Sequence, residues 1–301
     1  NTANIAFAGF TAPKILWVKK NEPENFSKIS KIMLPKDYIS YKLSGVFATD
    51  VSDASGTLYF DVKNRQWSKY MCEFLRIKEE NLPKVYESYE KVGNILPDIA
   101  DELGLSTSCV VAIGAGDNAA AAIGMGIIGE GGCNISVGTR GTIFVSSKDH
   151  YVVSGNAIHS FGHADGGYHL LGCMLSAASS YKWWMENILN ETDYNEMQKK
   201  ITNVGHNSVF FLPYLMGERS PINDSNARGA FVGMNMDTTK EEMAQAVMEG
   251  VAFALKDSFE IAKNLGIKIE STKICGGGAK SDLWKKIIAN VLGIEVLTTE
   301  Y

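Results

Sequence analysis

The chain has 301 residues, 45% hydrophobic and 21% charged, which is enough apolar side chain for a buried core and excludes wholesale disorder. Lys plus Arg number 29 against 34 Asp plus Glu, a formal net charge of −5, so the basic excess of a general nucleic-acid binder is absent. No run approaches the ~18 apolar residues of a membrane span. The five cysteines, with no Cys-x-x-Cys pair, read as reduced cytosolic thiols and not as a disulfide frame or zinc site. At ~150 residues per domain the length suggests two domains. The start at Asn1 without Met, and the stop at Tyr301 just after an apolar run, read as a piece of something longer.

The elements follow in order. Thr11–Val18 opens with Thr before Ala-Pro, a helix start. Pro35–Leu43 repeats the pattern and Gly45 stops it. Thr49–Thr57 is a loop of small polar residues in which Asp50 and Asp53 either cap turns or sit near a ligand. Glycine supplies 29 residues, concentrated between Gly114 and Gly141 and at Gly276–Gly278, where backbone must turn sharply or approach something closely. Cys109–Ile113 reads as a short strand, Gly114–Asn118 as a turn, and Ala119–Ile123 as the start of a helix.

Cys133–Val137 and Thr142–Ser146 form a hairpin around Gly138-Thr-Arg-Gly141. A third strand at Tyr168–Cys173 follows, then a helix over Leu175–Leu189 carrying Trp183 and Trp184 as packing residues. Val209–Pro213 is a strand and Thr239–Leu265 a long amphipathic helix. Met234, Met236, Met243 and Met248 fit a core face. Thr272–Cys275, Ser281–Leu292 and Ile294–Leu297 complete a strand, helix and strand. A hairpin meander followed by right-handed β-α-β crossovers gives an α/β order similar to the ribonuclease-H-like ATPase domain of the actin, hexokinase and Hsp70 type. His150, His159, His163, His169 and His206 have no zinc spacing and read as core or surface residues.

Several segments go beyond fold. Gly9–Asn21 resembles the first signature of the FGGY carbohydrate kinases. Gly229-Ala-Phe-Val-Gly-Met234 followed by Glu242–Glu249 resembles the second. Leu34-Pro-Lys-Asp-Tyr38, Thr49–Thr57, Leu212–Pro221, Asp224–Gly233 and Gly276-Gly-Gly-Ala-Lys-Ser281 are similar to the branch of that family that acts on xylulose. The resemblance implies two ribonuclease-H-like domains with the active site in the cleft between them, both incomplete here. Residues 1–128 would be the rear part of the N-terminal domain, on the sugar side. Residues 129–301 would be most of the C-terminal domain, on the nucleotide side. The first phosphate loop and its metal-linked Asp would be missing, leaving the fragment alone inactive.

The resemblance also implies ATP-dependent phosphorylation of D-xylulose with Mg²⁺. It implies a cytoplasmic enzyme with a small sugar as its partner, no nucleic acid and no membrane, and family members that often form homodimers. Other sugars or polyols of the family (ribulose, fuculose, gluconate, glycerol), or a non-catalytic sugar- or nucleotide-binding module, are the alternatives. Asp117 of Gly116-Asp-Asn118 matches the family's catalytic base, where phosphoryl transfer needs a carboxylate to take the alcohol's proton; by spacing alone it reads as a helix N-cap. Asn118 would hydrogen-bond the sugar or serve the turn. Gly138 and Thr139 resemble the second phosphate motif, offering N–H and hydroxyl donors without bulk. Arg140, where relatives carry a small residue, points to solvent or clamps a phosphate. Gly277, Gly278 and Ala279 resemble the adenosine motif, with Asp282 at the ribose or base; Asn290 reads as structural. Glu218 and Arg219 read as an ion pair holding the Tyr214–Pro221 loop. No residue is assigned to a metal.

Overall fold

The computed structural model describes residues 2–153, 155 and 157–298; the chain ends at Asn1 and Tyr301 lie outside them. The chain divides into two compact units. One comprises Asn1–Gly129, Ser147–Val152 and His159–His169, the other Glu130–Ser146, Val153–Ile158 and Leu170–Tyr301. A single cut at 128/129 does not place the Ser147–Val152 and His159–His169 segments with the first unit, where they pack. Among the described residues no helix is long and apolar enough to cross a membrane.

In the first unit the helices Thr11–Asn21 and Pro35–Ser44 form where the punctuation predicts. Gly45 ends the second in a left-handed conformation, its N–H donating to the Tyr41 carbonyl, which serves an otherwise orphaned helix-end acceptor. Strand Ala48–Asp50 pairs in parallel with Lys84–Tyr86. Strand Val110–Ala112 pairs antiparallel with Lys91–Asn94. Ala12 and Ile15 of the first helix bury against Leu58, Tyr59, Cys72 and Leu75, while Val51 and Ala54 bury with Phe60 and Val62. That second cluster fixes the turn at Asp50, from which the helix Val51–Ala54 departs.

In the second unit five strands run in the order Glu295–Thr298, Ser271–Cys275, Cys133–Val137, Gly141–Ser147, Tyr168–Met174. Cys133–Val137 and Gly141–Ser147 are the expected antiparallel hairpin, with Val137 opposite Gly141. Ser271–Cys275 lies parallel to both of its neighbours, the geometry a crossover helix requires, and Asp282–Leu292 is that helix. The helix Lys240–Asn264 opens with a reciprocal capping box between Thr239 and Glu242 and buries Ala246, Val247, Val251, Leu255 and Phe259.

Three expectations are corrected. The Leu175–Leu189 helix is shorter and irregular, α-helical over Ala178–Lys182 and π-helical over Trp183–Ile188. A strand at His159–Gly162 was not expected. All four of its residues are buried, so it lacks the alternation that marks a half-exposed strand. Met234 and Met236 are exposed, and of the four methionines named only Met248 is fully buried: the first two fall on the connection before Lys240, outside the helix whose apolar face they were expected to extend.

Candidate functional site

The first unit brings a carboxylate cluster to one end of its strands. Ile113 is buried and Gly114 has φ +76°, a left-handed turn that glycine adopts without strain. The helix Asp117–Gly124 follows, with Gly116 as its N-cap. Asp117 is therefore the first helical residue, not the cap that its spacing suggested, and its side chain is exposed. Its Oδ1 accepts from the Asn118 amide at 2.8 Å and from Asn118 Nδ2 at 3.1 Å. A carboxylate here is favoured by the positive end of the helix.

The turn is held from behind. The Gly116 N–H donates to Ser52 Oγ at 2.9 Å, and Ser52 Oγ donates to Asp50 Oδ2 at 2.5 Å. Asp50 is fully buried and caps its own helix, accepting from the Ser52 and Asp53 amides, a role worth about 1 kcal/mol. It also accepts from Ser88 Oγ at 2.6 Å and pairs with Lys36 Nζ at 3.1 Å. Lys36 reaches Asp37 Oδ1 at 2.8 Å as well. Burial pulls the Lys36 ammonium down, but Asp50 and Asp37 outweigh it and hold it above its ordinary value. So one half-buried cation joins two buried carboxylates, the pairing that a buried charge requires.

Asp53 lies against the same turn: a Cβ on Gly116 would sit 3.4 Å from its Cα and Oδ1. Burial pushes its carboxyl up to about 6; Lys36 opposes the rise, and Asp50, Asp37 and Asp117 add to it. Asp50 is thus a cap and network centre, while Asp53 is an imperfectly compensated acid beside Asp117.

The second unit carries a cleft of about 680 Å³ lined by Gly138, Thr139, Ala178, Ser179, Tyr181, Lys182, Tyr194, Asn195, Gln198, Gly277, Gly278, Lys280, Ser281 and Trp284, a volume suited to a small organic ligand. It brings the hairpin turn and the Gly276–Gly278 turn together. Their closeness explains two of the glycines. A Cβ on Gly278 would lie 2.5 Å from Val137 Cγ1, and one on Gly276, at φ +86°, would lie 2.8 Å from the Val137 carbonyl carbon. Gly277 has nothing within 4 Å of that position. The hairpin turn is tied down through its carbonyls: Gly138 O accepts from the Ala178 amide at 2.8 Å, and Thr139 O accepts from the Ala177 amide at 3.1 Å and Ser179 Oγ at 2.7 Å.

Of the nucleotide residues expected from sequence, Gly138, Thr139, Gly277 and Gly278 line the cleft, and Ala279 and Asp282 do not. Asp282 is exposed; Lys285, whose Nζ is 2.7 Å from its Oδ1, holds its carboxyl below the usual range. Arg140 is exposed. Glu218 holds its loop through its Oε1, which accepts from the backbone amides of Arg219 at 2.7 Å and Leu175 at 3.0 Å. Burial raises its carboxyl, against the pull of those two amides. Trp183 stacks on Phe211 and Trp184 packs on Phe231. Sequence reading missed Lys36, Ser52 and Ser88 in the first unit and Tyr181, Tyr194, Gln198 and Trp284 in the second. Ser281, the start of the expected Ser281–Leu292 helix, is the N-cap of Asp282–Leu292, accepting from the Trp284 amide.

The model of the FGGY carbohydrate kinase N-terminal domain matches residues 1–124, and that of the C-terminal domain matches residues 133–301. The chain belongs to the FGGY family of carbohydrate kinases. Its fold is accordingly the FGGY kinase fold, of the actin and hexokinase type. The xylulose kinase of Escherichia coli strain K12 is 40% identical over 294 residues, which is 97% of this chain and 60% of that protein. A structure of a "xyloylose kinase" from Brucella ovis superposes with a TM-score of 0.95 at 38% identity, over 100% of this chain and 62% of that one. A gluconate kinase from Lactobacillus acidophilus superposes with a TM-score of 0.91 at 30% identity, over 100% and 62%. The chain therefore spans about 60% of the length of the curated FGGY relatives it matches.

Proposed function

We propose that this chain is part of an ATP-dependent kinase that moves the γ-phosphoryl group to a hydroxyl of D-xylulose by direct in-line transfer. The observation that carries the reading is the exposed Asp117 carboxylate, fixed at a strand-to-helix turn by the buried Asp50–Ser52 network. Phosphoryl transfer depends on positioning and on charge stabilisation. Asp117 takes the proton of the attacking hydroxyl late in the reaction. Asn118, whose amide now donates to Asp117, turns a donor to a sugar hydroxyl.

In the second unit Thr139 and the Gly138 turn offer donors to phosphate oxygens, and the flat backbone at Gly277 and Gly278 accepts the adenosine. Mg²⁺, when bound, would supply neutralisation of phosphate charge and would be carried by the phosphates themselves, since such ions keep water and phosphate ligands. Among the described residues no group of three or more His, Cys, Asp or Glu is placed to hold a metal.

A gluconate kinase of closely similar fold makes the acceptor the point to test. In the full-length protein, D-xylulose, ribulose, gluconate and glycerol are compared in a coupled ADP assay, and Asp117→Asn is assayed beside the wild type. D-Xylulose is expected to be the preferred acceptor. Asp117→Asn is expected to lose several orders of magnitude in kcat while still binding ATP. Near-normal turnover by Asp117→Asn rejects the base. Preference for another acceptor rejects xylulose, and ATP binding with no acceptor phosphorylated rejects the enzyme altogether.

A further inference from the structure

We propose that Gln198 reads the nucleobase, its Nε2 donating to a ring-nitrogen acceptor of a purine held in the second unit's cleft. The inference deepens the nucleotide reading above and rests on it.

Ser281 decides which way the Gln198 amide points. As N-cap of Asp282–Leu292, Ser281 Oγ accepts the Trp284 N–H at 3.0 Å. The same oxygen lies 2.6 Å from Gln198 Oε1. The hydroxyl hydrogen is the one donated to that Oε1. A hydrogen donor can be met only by the carbonyl end of an amide. The helix cap therefore fixes the rotamer and polarity of a side chain on another helix: Oε1 is spent on Ser281, and the two hydrogens of Nε2 are left for the cleft that Gln198 lines.

The surroundings fit a flat, polar-edged ligand. Tyr181, Tyr194 and Trp284 give the cleft aromatic wall. All three are held: Trp284 Nε1 donates to the Met248 carbonyl at 3.0 Å, Tyr194 Oη donates to Glu186 Oε1 at 2.7 Å, and Tyr181 is 2% exposed. Burial raises the Tyr181 hydroxyl and Gln198 partly offsets the rise, while the Nε2 hydrogens are not used by Ser281. Gln198 itself rides on the short helix Tyr194–Lys200, which Asp193 caps by accepting the Glu196 N–H at 3.0 Å and buried Met197 anchors. A donor held by packing and by a second hydrogen bond discriminates better than a mobile one. A purine ring nitrogen is the acceptor that such a donor can recognise at the base.

The test is binding, measured calorimetrically on the protein with ATP and with 1-deaza-, 3-deaza- and 7-deaza-ATP, each lacking one ring nitrogen. Wild type is expected to bind one analogue about five- to tenfold more weakly than ATP, the worth of one neutral hydrogen bond. Gln198→Ala is expected to bind ATP weaker by the same factor and no longer to distinguish that analogue. Ser281→Asp keeps a cap acceptor but has no hydroxyl hydrogen, so Gln198 must turn Nε2 toward it; ATP affinity is expected to fall with the melting temperature kept, and Ser281→Thr, which retains the hydroxyl hydrogen, is expected to bind ATP as wild type does. Discrimination that survives in Gln198→Ala, or no analogue distinguished by the wild type, overturns the role of Gln198 while leaving the nucleotide reading standing. Wild type that binds no ATP overturns the nucleotide reading itself, and this inference with it.

Discussion

The Gly116 amide donates to the Ser52 hydroxyl at 2.9 Å, a contact between residues 64 positions apart that ties the Asp117 turn to a buried carboxylate. Ser52 passes the constraint on to Asp50, and Lys36 balances the charge. Asp117 is thus held by groups packed behind its turn. Positioning within a fraction of an ångström can be worth orders of magnitude in rate.

Ser52→Ala is therefore expected to cost about 1–3 kcal/mol of first-unit stability, through one lost bond to Gly116 and one to Asp50. In the full-length kinase it is expected to lower kcat roughly ten- to hundredfold. The KM for ATP is expected to hold, because the cleft proposed for the nucleotide is lined wholly by second-unit residues. Faster hydrogen exchange at the Gly116 amide is the structural readout, and Ser52→Thr, which retains the hydroxyl, is expected to recover most of the rate. Unchanged kcat in a destabilised Ser52→Ala protein would show that the network serves the fold alone.

Asp53 makes stability depend on pH. Its folded value is raised from 3.8 to about 6, chiefly by burial, so its favourable contribution to folding is complete below 3.8 and is lost as pH rises through about 6. Above that window the buried carboxylate opposes folding by up to about 3 kcal/mol, less its partial exposure to water. Asp53→Asn stays neutral throughout. It is expected to melt at the same temperature as wild type near pH 4 and several degrees higher at pH 7.5, with Asp37 and Asp50 still pairing Lys36. An equal melting difference at both pH values would count against the titration.

Local chemistry was legible where the signal lay within a few residues. Gly138–Gly141 marked the hairpin, Gly45 the end of its helix, and Thr239 the start of the long one, because turns and caps are made by neighbours in sequence. The Gly116-Asp-Asn118 turn was legible for the same reason, although the cap fell to Gly116. The partners that aim the site were not. Ser52 meets Gly116 across 64 residues and Gln198 meets Ser281 across 83, and such pairings depend on how elements pack. The glycines of the second unit show both limits. Their cluster was visible, but which of them serve close packing and which leave room for a ligand depends on where Val137 lies.

That distinction gives a test of the adenosine surface. Gly278→Ala puts a methyl 2.5 Å from Val137 Cγ1, well inside van der Waals contact, and is expected to destabilise the second unit by about 1–3 kcal/mol as overpacking does. Loss of nucleotide binding in that variant would say little about the ligand. Gly277→Ala meets nothing within 4 Å, and Gly277 has no positive φ, so the fold should tolerate it or gain a few tenths of a kcal/mol from a stiffer unfolded chain. The space its methyl takes is the space the proposal gives to adenosine. Gly277→Ala is expected to keep the wild-type melting temperature without ligand, to bind ATP at least tenfold more weakly by calorimetry, and to show a smaller ATP-induced rise in melting temperature. If its affinity for ATP matches wild type, the adenosine does not lie over Gly277.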